Sequence, residues 1–239
     1  MVRIRRGFGV QVKAEIPHYI AHRKRLKSRF TQAGLESFQD HEVVELILTY
    51  ALARKETKPL AKQLLRTFGS FRGIVEAPIE ELKKIPGLSD HTALLFKLFK
   101  AASERYLRER IFGGKDIISS PGDLLSYCQS KMGWQNDEQF RTVFLNPRNQ
   151  VIGEEVLQEG TIDQTVVYPR KVMERAIRLK ATALILVHNH PSGSPLPSPE
   201  DKELTRALVQ AARNLQITIH DHLIISREGH FSFLENNLL

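Results

Sequence analysis

Residues 183–201 have the sequence ALILVHNHPSGSPLPSPED, which passes from a short apolar run through a polar loop to the start of a helix. The run at 183–188 is short, rich in aliphatic residues and followed by loop formers, which predicts a buried strand. Ser198 followed by Pro199 is typical of a helix N-terminus, and the pattern after it predicts a helix over about 199–214. A buried strand that leads into a helix is typical of a layered α/β domain.

Two histidines stand where this strand ends. Residues two apart on a strand point to the same side and lie roughly 6.5 Å apart, so His188 and His190 can converge on one metal ion. The loop returns the chain to Asp201 in the first helical turn, where its carboxylate can fold back as a third ligand. Three protein ligands leave a fourth tetrahedral position for water, which is the arrangement of catalytic zinc. The spacing therefore favours a site for one zinc ion per chain.

Helix capping alone is an alternative explanation for the end of this stretch. Ser198 is a good N-cap residue, and Glu200 and Asp201 face the positive end of the helix dipole without any metal. Capping, however, does not require two histidines on one strand face upstream. The combination of the two patterns favours the metal site over capping by itself.

The rest of the second half alternates between strand and helix patterns. Helices are predicted at 121–132 and 170–179, and strands at 140–145, 151–157, 165–168 and 217–226. The turn Asn146-Pro147-Arg148-Asn149 separates the first two strands, which predicts a hairpin. The alternation predicts a sheet covered by helices, in an α/β or α+β layered domain.

The first half differs in both periodicity and charge. Its apolar residues recur at helical spacing, which predicts helices at 40–48, 59–68, 79–84 and 91–110. No segment alternates like a strand, so the prediction is an all-helical domain. Residues 1–115 carry 23 Lys+Arg against 12 Asp+Glu, a net +11, whereas residues 116–239 carry 12 against 15, a net −3. A segment rich in helix breakers at 113–122 marks the boundary. We therefore predict two domains, at 1–112 and 118–239.

Residues 80–93, EELKKIPGLSDHTA, resemble a helix-hairpin-helix, a motif that binds the DNA backbone by directing loop amides at a phosphate. The usual second glycine of the hairpin is a serine here, in Gly87-Leu88-Ser89, and this restricts the close approach of the backbone to a phosphate. Such hairpins also serve as packing units. The positive charge of the domain favours non-specific DNA contact, and both roles stay open at this point.

Cysteine content and hydropathy bear on the cellular compartment. The lone Cys128 excludes an intrachain disulfide and a multi-cysteine zinc cluster, and it is predicted to be a small buried residue. The arginines at the N-terminus are not followed by the apolar core of a signal peptide. No apolar run is long enough to cross a bilayer. These features predict a cytoplasmic protein without membrane contact.

The order His188-x-His190, seven residues, Ser198, two residues, Asp201 resembles the JAMM metalloprotease motif of MPN domains. The segments HNHPSG and PSPED around it are similar to those of the bacterial RadC family, and the similarity extends over nearly the whole chain. It implies an all-α, helix-hairpin-helix-like N-terminal domain and a C-terminal α/β domain of the MPN/JAMM, cytidine-deaminase-like fold, with a mixed sheet flanked by helices. It also implies that His188, His190 and Asp201 bind zinc, and that Ser198 helps hold an oxyanion.

The resemblance further implies a general base. JAMM enzymes use a glutamate from an earlier strand, and Glu138 occupies the matching place in this sequence. The competing candidates are Glu154, Glu155 and Glu159. A second His-x-His, His220-Asp221-His222, lies on a predicted strand, but no nearby loop returns a third ligand. It is therefore left out of the metal site and expected to have a structural or supporting role.

Together with the resemblance, the sequence predicts a zinc-dependent metallopeptidase or isopeptidase acting on a peptide or protein. Zinc-activated water would attack an amide carbonyl, with Glu138 managing the protons. The alternative is a DNA-associated binding protein, related to repair or recombination, whose zinc domain is a scaffold. A third possibility is that the site hydrolyses a non-peptide substrate, as in nucleotide deamination or phosphoester cleavage.

Overall fold

The computed structural model describes residues 18–112, 121–160 and 167–239, without the side chains of 158–160. The chain divides into two compact units, Met1–Lys100 and Ala101–Leu239. Residues 113–117, which separate the two predicted domains, lie outside the described residues. The boundaries at 1–112 and 118–239 therefore stay a prediction.

The first unit is helical in its described part, as the periodicity predicts. Its helices are α1 (His18–Ala33), α2 (Asp40–Ala51), α3 (Lys58–Phe68), α4 (Phe71–Glu76), α5 (Ile79–Lys83) and α6 (Asp90–Phe112), the last of which begins in this unit. The core contains the fully buried side chains of Val44, Leu48, Leu64, Leu82 and Phe96. These residues come from α2, α3, α5 and α6, which are the helices that the sequence predicts.

The sequence does not predict α1 or α4. In α1 only Leu26 is buried, so the helix carries no apolar stripe from which it could be recognised. The six-residue α4 is capped by Ser70, whose side chain accepts a hydrogen bond from the Gly73 amide over 3.0 Å. A helix of this length rests on its cap and its packing, because isolated short helices are marginal in water.

The second unit contains a five-stranded mixed sheet with helices on both faces, which confirms that part of the predicted fold. Its strands are β1 (Glu138–Leu145), β2 (Val151–Gly160), β3 (Ala183–Asn189), β4 (Thr218–Ile225) and β5 (His230–Ser232). The strand order is β2-β1-β3-β4-β5. Only the β3–β4 pair is parallel among these neighbours.

The sequence prediction and the structure differ at two short segments. The short β5 is not predicted, because a three-residue strand is too short to show alternation. A strand is predicted at 165–168, but residues 165 and 166 lie outside the described part and residues 167 and 168 are not in a strand. The chain then enters a helix, α8 (Pro169–Arg178).

Side chains alternate between the two faces of the sheet along the central strand, and both faces are covered by helices. On β3, Ile185 and Val187 pack on the face covered by α7 (Pro121–Met132). Leu184 and Leu186 pack on the opposite face, covered by α8 (Pro169–Arg178) and α9 (Pro199–Asn214). This alternation places the next even-numbered residue, His188, on the side of α8 and α9.

Cys128 is buried on the α7 side of the sheet, as the sequence predicts. Burial raises the pKa of its thiol to about 12, because the thiolate is poorly solvated there. Among the described residues, no helix combines the length and the apolar character that a membrane span requires.

Candidate metal centre

The structure brings His188, His190 and Asp201 together at the end of β3. The Nε2 atom of His188 lies 2.9 Å from Nε2 of His190 and 3.1 Å from Oδ1 of Asp201. Nε2 of His190 lies 3.3 Å from Oδ2 of Asp201. His188 is buried, and the other two side chains are only slightly exposed. Three potential ligand atoms therefore face one another across a small gap.

The loop after β3 holds the His190 ring in place. Gly193 has φ +103°, a conformation that favours glycine, and its amide donates to the His190 carbonyl over 3.2 Å. Nδ1 of His190 lies 3.0 Å from the carbonyl oxygen of Ser194. Because a carbonyl oxygen only accepts, Nδ1 carries the hydrogen. In the neutral ring, the lone pair is then on Nε2, which faces Asp201.

Asp201 is positioned by the start of α9. Ser198 is the N-cap, and its Oγ accepts from the Asp201 amide over 3.1 Å. The Ser198 amide in turn donates to Oδ2 of Asp201 over 2.7 Å, which completes a capping box. Asp201 therefore belongs both to the helix cap and to the candidate metal site. Its Oδ2 accepts from the Ser198 amide, while Oδ1 faces His188 and Oδ2 faces His190.

The electrostatics of the site favour a negative Asp201. Burial alone would favour the neutral acid, but hydrogen bonds to His188 and His190 outweigh it and hold the pKa of Asp201 well below its ordinary range. Burial also disfavours the charged form of His190, yet the hydrogen bond and charge of Asp201 raise the pKa of His190 above its ordinary value. The site thus holds a carboxylate that attracts a cation.

The donor set and its spacing fit a metal ion. A tetrahedral ion with bonds of about 2.0–2.1 Å separates its ligand atoms by about 3.4 Å. The three pairs of ligand atoms are 2.9, 3.1 and 3.3 Å apart, so a small outward movement is enough to admit an ion. Two imidazole nitrogens and one carboxylate oxygen are ligands that suit zinc. The group could therefore hold a metal ion.

Glu138 is the first residue of β1, and it lies on the same sheet face as His188. Even-numbered residues of β1 share that face, and Phe140 is the direct neighbour of His188 across the strands. Glu138, Ser198 and the three potential ligands all line one cleft with a volume of about 830 Å³. Half-buried Glu138 is therefore near enough to share a substrate with the potential metal site.

The competing glutamates are directed elsewhere. Glu154 accepts from Arg141 over 2.7 Å and from Tyr127 over 2.8 Å. These partners lie on the α7 side of the sheet, away from His188. Glu155 pairs with Arg175 of α8 over 3.1 Å. The side chain of Glu159 lies outside the described residues.

The second His-x-His separates into two different roles. His220 is partly exposed and lies with Nε2 2.8 Å from Oδ1 of Asn149. His222 is fully buried, and its Nε2 lies 2.9 Å from Nδ1 of His188. The pKa of His222 lies well below its ordinary value. Burial is the larger cause, and the neighbouring His188 is the second. The contact depends on the parallel pairing of β3 and β4, which the sequence spacing does not reveal.

A comparison with protein families agrees with this arrangement. Residues 118–238 match the family model described as a RadC-like JAB domain, and this range is more than half of the chain. It includes the whole sheet and all the residues of the candidate centre. The chain therefore belongs to the RadC family and carries a JAB/MPN-like domain.

Proposed function

We propose that this protein is a zinc-dependent hydrolase that cleaves a peptide or isopeptide bond. The observation that carries the proposal is the convergence of His188, His190 and Asp201 in a cleft that also contains Glu138. Membership of a family with a JAB domain supports a JAMM-like metallohydrolase. Zinc held by the three side chains would supply Lewis acidity, which makes a water molecule nucleophilic at neutral pH and polarises a carbonyl.

We assign the proton transfers to Glu138. Its carboxylate can take a proton from the attacking water and deliver it to the leaving amine, which is the role of a general base and then a general acid. Ser198 is assigned to the oxyanion. Its Oγ accepts from the Asp201 amide, so its hydroxyl hydrogen can still be donated to the carbonyl oxygen of a substrate.

The charge of the cleft favours an amide substrate over a phosphate ester. Four carboxylates line it, from Glu138, Glu200, Asp201 and Glu203, and no lysine or arginine is among its described lining residues. Such a surface repels a phosphate group and accepts a neutral or cationic one. The likeness to the cytidine deaminase fold stays a prediction, and the acidic cleft counts against a phosphorylated nucleotide as substrate.

The test is hydrolysis of a pool of peptides and lysine-linked isopeptides by the zinc-loaded chain, followed by mass spectrometry. Glu138→Gln should retain zinc and lose about 10²–10⁴-fold in rate, because a positioned acid or base contributes that much. Glu174→Gln on the exposed face of α8 is the matched control and should keep the full rate. Full activity of Glu138→Gln would remove Glu138 from the mechanism.

A second candidate, non-specific DNA contact by the helical part, is favoured by the net +11 of residues 1–115. The segment α5–turn–α6 supports the predicted helix-hairpin-helix-like arrangement, with Gly87 at φ +88° in the turn. The amide of Thr92 already donates to the side chain of Ser89 over 3.3 Å. We therefore assign the contact to exposed basic side chains of α1 rather than to hairpin amides.

Binding of the full chain to a DNA duplex at about 50 and 200 mM salt tests this second candidate. The affinity should fall steeply with salt, and the Lys24→Glu/Arg25→Glu double variant should weaken it, because both side chains are exposed. Absence of binding at the lower salt concentration would contradict it. This result would leave the proposed hydrolase untouched.

A further inference from the structure

A chain of hydrogen bonds runs behind the candidate metal centre. The hydroxyl of Thr205 lies 2.6 Å from the Asp201 carbonyl oxygen and 2.6 Å from Nδ1 of His222. Nε2 of His222 lies 2.9 Å from Nδ1 of His188. Thr205, His222 and His188 are almost completely buried. This chain of hydrogen bonds thus starts at the backbone of one potential ligand, Asp201, and ends on the ring of another, His188.

The direction of every hydrogen bond in this chain is fixed by its first member. A carbonyl oxygen cannot donate, so Thr205 must give its only hydroxyl hydrogen to Asp201. The Thr205 oxygen then accepts, and Nδ1 of His222 must carry a hydrogen. A neutral imidazole has one N–H, so Nε2 of His222 is an acceptor and Nδ1 of His188 must donate to it.

The surroundings of His222 keep its ring neutral and fixed. The ring stacks on Phe233 with centroids 4.7 Å apart and meets the Phe140 ring edge-on at 5.8 Å. Its two ring nitrogens are both occupied, one by Thr205 and one by His188. A buried ring with both nitrogens engaged cannot change its hydrogen placement without leaving a buried polar atom unpaired, which is unfavourable.

We propose that Thr205 and His222 are positioning residues that hold a hydrogen on Nδ1 of His188, so that Nε2 is the nitrogen left for a metal ion. His190 is set in the same sense by the Ser194 carbonyl. In both histidines Nε2, the nitrogen that hydrogen-bonds to Asp201 when it is protonated, is then the one that a metal ion would take. This inference rests on the metal-binding part of the proposed function, and it extends the site to two residues that never touch the ion.

The first test compares Thr205→Val with Thr205→Ser in the full chain. Valine has nearly the shape of threonine but no hydroxyl, whereas serine retains it. Without the hydroxyl, Nδ1 of His222 has no acceptor, and the His222 ring is free to place its hydrogen on Nε2 and donate to His188 instead. The Nδ1 of His188 must then lose its hydrogen, and its Nε2 becomes protonated and unable to bind a metal.

Two measurements report this change. Long-range ¹H–¹⁵N NMR of the metal-free chain gives the protonation of each ring nitrogen, and competition with a chelator gives the affinity for zinc. The wild type and Thr205→Ser should show His188 protonated on Nδ1, and Thr205→Val should not. The zinc affinity of Thr205→Val should fall about 10–100-fold, the range for a lost hydrogen-bond partner of a metal ligand.

A second pair of variants, at position 222, provides the same test even if a Thr205 variant fails to fold. In His222→Gln the side-chain amide oxygen can still accept from His188, and in His222→Leu no acceptor remains. The inference predicts nearly wild-type zinc affinity for glutamine and a loss of about 10–100-fold for leucine. A purely structural role predicts that neither pair differs in the His188 nitrogen shifts.

The outcomes are distinct. Unchanged His188 nitrogen shifts and equal zinc affinity within each pair would overturn the inference. A wild-type chain that binds no zinc would contradict the proposed function, whereas the nitrogen shifts alone decide whether Thr205 and His222 set the tautomer.

Discussion

Ser198 and Asp201 hydrogen-bond to each other twice, with each backbone amide donating to the side chain of the other residue, over 2.7 and 3.1 Å. This box begins α9, and it also holds the Asp201 carboxylate against two histidine rings. The start of the helix and the candidate metal site are therefore one structure. The two functions of Asp201 can be separated by substitution. The cap needs only an oxygen atom that accepts a hydrogen bond, whereas the candidate metal site uses a negatively charged carboxylate.

The variant Asp201→Asn separates these two functions. The amide oxygen can still accept from the Ser198 amide, so the helix cap is kept, but the lost carboxylate beside the two histidines should lower the unfolding free energy of the metal-free chain at neutral pH. Asp201→Ala removes the cap acceptor as well and should cost about 0.5–1.5 kcal/mol more. Both variants should lose zinc, as measured by elemental analysis. Retention of one zinc per chain in Asp201→Asn would contradict the assignment of this carboxylate as a ligand.

A second prediction concerns Ser198. Ser198→Ala should destabilise the chain by about 1 kcal/mol through the lost N-cap. It should retain zinc but lower the rate of hydrolysis by about 10²–10³-fold, the usual loss for one oxyanion donor. Ser198→Thr keeps the hydroxyl and is the control. Equal rates for alanine and threonine, measured with the same cleaved peptide, would limit Ser198 to capping.

A third prediction concerns alkaline pH. Burial raises the pKa of Cys128 to about 12 from an ordinary value of about 9.0. Between these values the unfolded thiol loses its proton and the folded thiol keeps it, so stability falls as the pH rises. Urea unfolding between pH 8.5 and 11 should show a steeper decline in the wild type than in Cys128→Ala. Parallel declines would contradict this explanation.

A fourth prediction concerns Glu154 and Glu155, the competing candidates for the general base. Arg141 and Glu154 form a buried pair, with only about a tenth of each side chain exposed. Glu154→Ala leaves Arg141 buried without this partner and should cost about 3–5 kcal/mol. Glu155→Ala breaks a half-exposed pair with Arg175 and should cost less than about 1 kcal/mol. Similar unfolding midpoints for the two variants would contradict the structural assignment of Glu154.

Much of the second unit could be predicted because its signals are local. The apolar run of β3, the Ser198-Pro199 start of α9 and the two histidines between them all follow from short-range patterns. The helical character of the first unit follows from periodicity in the same way. For α1 there is no such signal, because a helix that buries only Leu26 has no continuous apolar face.

The part that could not be predicted depends on strand order. His222 is 34 residues away from His188 in the sequence, and only the parallel pairing of β3 with β4 places the two rings in contact. Among the described residues, the group of potential ligands contains neither His220 nor His222. The sequence pattern does not reveal that His222 completes the hydrogen bonding of His188, because register is a tertiary property.

The central claim is that His188, His190 and Asp201 hold one catalytic zinc ion. Its most direct test is the zinc content of the purified full chain, measured by mass spectrometry for the wild type and for His190→Ala. We predict one zinc per chain in the wild type and none in the variant, with matching circular dichroism spectra. A wild-type chain that stays metal-free after incubation with zinc, although correctly folded, would contradict the account.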